Sequence, residues 1–368
     1  MALYISIAVF LIAGLFMELA TERKKATYTL ENSILKKENK HTRVQIVFFL
    51  LVIFVLWFLT AFRAKEIGND TQNYIRYFKF FSSYGIDSNS RFEIGYQILN
   101  ILVSKINSDP HFFLAVVATF CYIGTGIYIY KYTDNLVFST VLLFPVAYGF
   151  FASGLRQAIA MVICLYAYQA LKKRKIAVSV LLILFAMTFH TSAFIMLFLL
   201  LHKVLPKKLF FVLSLTVVFI ALSIAGVMDN VLGSILSEDT YGGYYSNEEL
   251  TNGWLGITYY CLRDLVFYII VQIAYRNKEK ENSLVISLFS MLLITIALGF
   301  SLNQFSRATN YFLLIATVEL PNSIYRGRLN NKKILTFLIG FIMVLYFLVT
   351  LIVRPNWNHL YPYEFFWN

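Results

Sequence analysis

Charge is scarce in this chain. Charged residues make up 14% of 368 positions, whereas hydrophobic types make up 59%. Soluble globular domains carry about 25% charged residues, so an ordinary soluble domain is excluded. Cysteine is scarce as well. Cys121, Cys164 and Cys261 all fall within apolar runs, without metal-ligand spacing, and read as buried packing residues. Several motifs are missing altogether: a phosphate-cradling glycine loop, a paired-cysteine zinc pattern, a His-x-Glu metal motif and a nucleophile elbow. No chain of acidic residues crosses the apolar runs. Neither is there an obvious inverted repeat, and both absences count against a proton-driven carrier.

What the chain does have is apolar runs of membrane-crossing length, each needing about 20 residues. They predict an all-α polytopic membrane protein with about twelve transmembrane helices. The expected spans are 3–20, 44–62, 111–130, 136–152, 154–171, 176–190, 191–201, 209–227, 256–275, 284–301, 308–324 and 334–353. Met1–Ala20 is expected to be a first span with its N-terminus outside rather than a cleavable signal, because Arg23, Lys24 and Lys25 follow it. The net charge of +12 invites a nucleic-acid reading, but its distribution favours topology. Loops assigned to the inside carry about 22 of the 32 lysines and arginines, as the positive-inside rule requires. The chain therefore reads as one integral membrane domain, 1–368, with two polar outer loops at 63–110 and 228–254. The first outer loop is rich in aromatic residues and predicts short interfacial helices. The aromatic tail after Arg354, with Trp357, Tyr361, Tyr363, Phe365, Phe366 and Trp367, is expected at the outer headgroup level.

The stretch Phe150–Phe194 organises the rest. Two apolar runs flank Lys172–Lys175, and at their far ends stand Arg156 and His190. Ionisable groups at membrane depth are costly and face a partner, a cavity or a substrate. Arg156, Arg263 and Arg307 each fall at the outer end of a span beside polar residues: Ser153 and Gln157, Thr258 and Asp264, Asn303 and Gln304. Arginine grips phosphate oxygens in a planar, bidentate fashion, so three such groups would suit a pyrophosphate. The competing readings are snorkelling to the interface and, for Arg263, a structural pair with Asp264. His190 is a candidate base or phosphate donor, against a helix-end histidine bonded to backbone. Asp70 and Glu93, flanked by glycine and aromatic residues, suit the gripping of sugar hydroxyls. Their alternative is an Asp70 cap and a loop ion pair with Arg63, Arg76 or Arg91.

Five motifs, Gly68–Asp70 with Tyr74, Glu93–Tyr96, Leu155–Ala160, Phe189–Ser192 and Arg307–Phe312, resemble the pattern of the EpsG-like family of bacterial membrane proteins, related to Wzy-type O-antigen and capsular polysaccharide polymerases. The terminal Tyr361-Pro362-Tyr363 is similar too, whereas Asn69 departs from the small or Thr-like residue usual there, and the second outer loop carries no family signature. The resemblance implies a GT-C-like membrane glycosyltransferase at the periplasmic or extracellular face of the bacterial plasma membrane. It would move a growing glycan from undecaprenyl pyrophosphate onto a lipid-linked oligosaccharide repeat unit. Arg156, Arg307, Arg263 and Gln157 would bind pyrophosphate, and His190, Asp70 or Glu93 would take the acceptor proton. No cofactor, nucleotide or metal is expected, because the leaving group is already activated. Partners would be the lipid-linked oligosaccharides, membrane lipids, a chain-length regulator and other glycan-assembly proteins, and no nucleic acid. The alternatives are a flippase for lipid-linked oligosaccharides or another transporter, a membrane acyltransferase modifying surface glycans, and a scaffold in a glycan-assembly complex.

Overall fold

The computed structural model describes residues 1–20, 41–225, 227, 254–297, 303–355 and 358–367, with backbone alone at 254–257 and 303–306. The second outer loop, most of the first basic loop, Trp357 and the side chains of Asn303 and Gln304 lie outside the described residues. In order the helices are α1 (Ala2–Ala20), α2 (Arg43–Ala61), α3 (Thr71–Tyr84), α4 (Ile94–Ser104), α5 (Pro110–Tyr132), α6 (Leu136–Ser153), α7 (Leu155–Lys172) and α8 (Ile176–Met187). A 3-10 helix, Thr191–Leu201, follows, and then α9 (Leu209–Ile224), α10 (Trp254–Ala274), α11 (Ser283–Ala297), α12 (Asn303–Arg326) and α13 (Lys332–Val353). The described part of the chain is thus helical, with one isolated β-bridge, Arg63 to Phe365.

Each expected span coincides with a helical element, but they differ in kind. Among the described residues α1, α2, α5, α6 and α13 are long and apolar enough to cross a membrane. α8, the 3-10 helix, α9 and α11 are apolar but shorter. α12 is long, at 24 residues, but interrupted by polar side chains. Local signals explain the starts. Thr42 and Gln45 form a reciprocal capping box on α2, and Asp109 caps α5 with Pro110 in its first turn. Pro145 lies inside α6 without an amide to donate, and there the helix widens into a π turn over Phe144–Tyr148.

The expected short helices of the first outer loop are present. α3 buries Tyr74, Phe78 and Phe81 on one face, and α4 buries Tyr96, Gln97, Asn100 and Val103. α7 is buried along nearly its whole length and packs against α5, α8, α12 and the 3-10 helix. The break between the expected spans 176–190 and 191–201 falls at His190, whose backbone is extended (φ −156°, ψ 117°) between α8 and the 3-10 helix.

The end of the bundle holding the last turn of α7 is tied by polar contacts. Lys172 Nζ reaches Glu319 Oε1 at 2.5 Å, and Arg326 pairs with Asp134. Asn322 accepts from the Asp134 amide at 2.7 Å and donates to the Tyr132 carbonyl at 3.0 Å. At the other end, residues 358–366 do more than sit as an aromatic belt. They fold back on the chain that leaves α2: Ala64 N donates to Glu364 O at 2.9 Å and Phe366 N to Phe62 O at 3.1 Å. Around this pairing Phe365 and Trp367 stack at 4.6 Å, and Phe366 stacks on His111.

Glu319 is buried, whereas the Lys172 side chain is 29% exposed, so removing the carboxylate breaks the tie between α7 and α12 while the ammonium can still reach water. Glu319→Ala is expected to lower stability by about 1 kcal/mol, below the scale for a fully buried pair because Lys172 keeps access to water. Thermal unfolding of the purified protein in detergent checks this, and an unchanged midpoint refutes it.

Candidate functional site

The site is built where three segments distant in sequence meet on one carboxylate. Glu93 stands at the N-cap of α4 in extended conformation but caps nothing with its side chain. That leaves both oxygens for other segments. Oε2 accepts from Arg156 Nη1 at 2.6 Å. Oε1 accepts from the Thr191 amide at 3.0 Å and its hydroxyl at 3.2 Å, and lies 3.0 Å from His190 Nδ1. An ionised carboxylate only accepts, so Nδ1 carries a proton, and in the neutral ring Nε2 then holds the lone pair.

Local sequence explains why the groups can meet. Gly95, two residues after Glu93, donates its amide to Thr188 O at 2.8 Å. A Cβ there would lie 2.4 Å from Thr188 Oγ1 and 2.8 Å from Thr188 O, so glycine lets the start of α4 seat against the end of α8. Arg156 enters from the first turn of α7, after Gly154 breaks the helix, and its guanidinium lies 4.5 Å from the Phe92 ring centre. A cation over a buried aromatic face is attracted by the ring quadrupole. Burial alone would raise the Glu93 pKa, but the His190 bond and the Arg156 charge outweigh it and hold the carboxyl at about 2.

The other expected residues divide. Arg307, in the first turns of α12, is exposed, and its carbonyl accepts from Gln157 Nε2 at 2.8 Å. Gln157 is buried, so its amide ties α7 to α12 beside Arg307 rather than standing open to a ligand. One turn further along α12, Tyr311 bonds Ser192 at 3.1 Å, two residues after His190. The fields of Arg156 and Arg307 both reach His190 and Tyr74. Asp70, at the start of α3, neither caps the helix nor pairs with Arg63, Arg76 or Arg91. Its charge reaches Tyr74 and Tyr96, which face Arg156. Among the described residues nothing bonds Arg263 to this cluster: it grips its neighbour Asp264 through two contacts, 2.7 and 3.1 Å, and lies 4.9 Å from the Tyr260 ring centre. Ser153, expected to line a cavity beside Arg156, donates to Asn358 O at 3.2 Å instead.

Sequence reasoning missed Thr191 as a double donor, the seating role of Gly95, and Phe92 as the face under Arg156. The motifs Phe189–Ser192 and Glu93–Tyr96 contain or adjoin all three, but their pairing becomes visible only in three dimensions. Among the described residues no three His, Cys, Asp or Glu side chains gather as a metal site. Guanidinium, imidazole and hydroxyl groups converge here, a donor set suited to an anion.

With this geometry in hand, the comparisons with known proteins are consistent. A model of the EpsG family matches residues 46–365, and the chain belongs to that polysaccharide polymerase-like family of membrane proteins. No curated protein and no solved structure matches.

Because the folded pKa of Glu93 is depressed, its charge stabilises the fold fully above the unfolded value of about 4.3. That contribution is lost as pH falls toward the folded value of about 2. The stability gap between wild type and Glu93→Gln is therefore expected to be flat above about pH 5 and to shrink below about pH 4. Denaturant titrations across that range test it, and a gap that widens on acidification contradicts it.

Proposed function

We propose that the protein is a polysaccharide polymerase acting on lipid-linked repeat units. In this reading it transfers a growing glycan from undecaprenyl pyrophosphate to a sugar hydroxyl of an incoming lipid-linked oligosaccharide. The observation that carries the reading is the convergence of Arg156, Glu93 and His190 from three segments onto one charge relay. The class is a GT-C-like membrane glycosyltransferase of about twelve spans in the bacterial plasma membrane, with the relay facing the periplasm or exterior.

The bond between the donor sugar's anomeric carbon and the pyrophosphate oxygen breaks, and the pyrophosphate leaves with the electron pair. The acceptor oxygen bonds to that carbon, and its proton passes to His190 Nε2. Arg156 and Arg307 stabilise the charge growing on the leaving group, which is where fixed donors act most strongly. Glu93 orients the imidazole and stabilises the imidazolium as it forms. Its low pKa and its four donors make it a poor base, so its part is orientation. Asp70, with no bonded partner among the described residues, is the second candidate base. Gln157 holds the Arg307 turn, and Arg263 takes a lesser place because nothing among the described residues bonds it to this cluster. No cofactor enters this scheme.

The glycan ladder of cells lacking the gene tests the proposal. Deletion should leave single repeat units, and only the wild-type gene should restore long chains. Arg156→Ala and His190→Ala are each expected to reduce polymerisation by about 10²-fold or more, the scale for losing a positioned base or charge donor. Lipid-linked units trapped on the cytoplasmic face would instead identify a flippase and overturn the assignment.

A further inference from the structure

Arg63 follows α2 and is fully buried, yet no carboxylate pairs with it among the described residues. Its guanidinium donates to the Thr60 carbonyl and, through Nε, to Thr71 Oγ1 at 3.4 Å, while Nη2 has no partner. Burial pulls its pKa down to about 10, against the opposing influence of Tyr363, Tyr148, Tyr122 and Tyr74, and it stays charged at neutral pH. A buried cation without an acid costs several kcal/mol, and an apolar residue of similar volume often stabilises a fold better. Stability is therefore a poor account of Arg63, and its surroundings offer a better one.

Thr71, which Arg63 bonds, donates to Ile67 O at 2.6 Å and starts α3, one residue after Asp70 and three before Tyr74. Directly over this turn lies the tail. Gly68 N donates to His359 O at 3.0 Å, and Gly68 has a positive φ of 89°. A Cβ on Gly68 would lie 2.5 Å from the carbonyl oxygen of Ala152, so the turn is pressed against the end of α6. The neighbouring tail carbonyl, on Asn358, takes the Ser153 hydroxyl at 3.2 Å, three residues before Arg156. Tyr363 OH donates to Leu59 O at 2.7 Å, and Tyr4 OH donates to Leu360 O at 2.6 Å, which anchor the tail to α2 and α1.

Two consecutive tail carbonyls thus hold the two segments that deliver Asp70–Tyr74 and Arg156, with Arg63 filling the space beneath. We propose that Arg63 and the tail residues Asn358–Phe366 form a clamp that positions Arg156 against the Asp70–Tyr74 turn, making Arg63 a positioning residue of the pyrophosphate site. This rests on the pyrophosphate reading above.

The test measures binding of inorganic pyrophosphate to the full-length protein in lipid nanodiscs. Wild type, Arg156→Ala, Arg63→Met and Ser153→Ala are compared, with the folded fraction of each recorded. Arg156→Ala should abolish binding. Arg63→Met and Ser153→Ala should raise the dissociation constant about tenfold or more, since small misplacements of a charged group are costly. A merely structural role would lower the amount of binding-competent protein and leave the dissociation constant unmoved, and that result overturns the clamp. If Arg63→Met does not fold, Ser153→Ala, which deletes one hydrogen bond, decides the matter by the same criterion. Wild type that fails to bind, or Arg156→Ala that binds as wild type does, brings down the pyrophosphate reading and the clamp with it. Because that comparison involves neither Arg63 nor Ser153, the two failures are distinguishable.

Discussion

The carboxylate of Glu93 is the point on which one end of this bundle depends. It gathers a guanidinium from the start of α7 and an imidazole, an amide and a hydroxyl from the turn between α8 and the 3-10 helix. The partners lie 63 and 97 residues away in sequence. Remove that charge and Arg156 is left half-buried against Phe92 without an anion, while His190 loses the bond that fixes its tautomer. Much of the local backbone serves this meeting. Gly154 interrupts the helix just before Arg156, Gly95 admits the start of α4 against Thr188, and the extended backbone at His190 ends one helical segment before another begins.

The two ends of the bundle use ionic groups differently. At the end carrying the basic loops, Lys172–Glu319 and Arg326–Asp134 join helices pairwise, with amide bonds from Asn322 beside them. These contacts fasten α5, α7 and α12 to one another and leave no imidazole between them. At the other end an imidazole and two exposed or half-buried arginines share a field. Perturbed, unevenly satisfied groups cluster at functional sites more often than isolated ion pairs do, and the proposed site draws on that contrast.

A good part of this was legible in the sequence. Apolar runs gave the helices, the aromatic richness of 63–110 announced α3 and α4, and the abutting runs 176–190 and 191–201 required a break beside His190. Arg156, Glu93 and His190 were singled out because charge is rare in such a chain. What stayed hidden depends on distance in the chain. Nothing in the local pattern pairs Glu93 with Arg156 rather than with Arg63 or Arg91, or assigns Ser153 to a tail carbonyl 205 residues away. Length misleads too. The stretch 191–201 is apolar enough for a span, but its i to i+3 bonding makes it a thin 3-10 helix.

The backbone pairing of Ala64 and Phe62 with Glu364 and Phe366 also bears on how the molecule is made. A ribosome delivers residues 62–68 some 300 residues before the tail segment that covers them, at about 5–20 residues per second. For tens of seconds the turn that begins α3 is in place without its cover, while the helices between are inserted. This end of the bundle cannot take its final shape until residues near 366 have emerged. A chain that stalls before that point, however well its helices are seated in the bilayer, leaves the translation machinery unfinished at the end where the arginines and histidine converge.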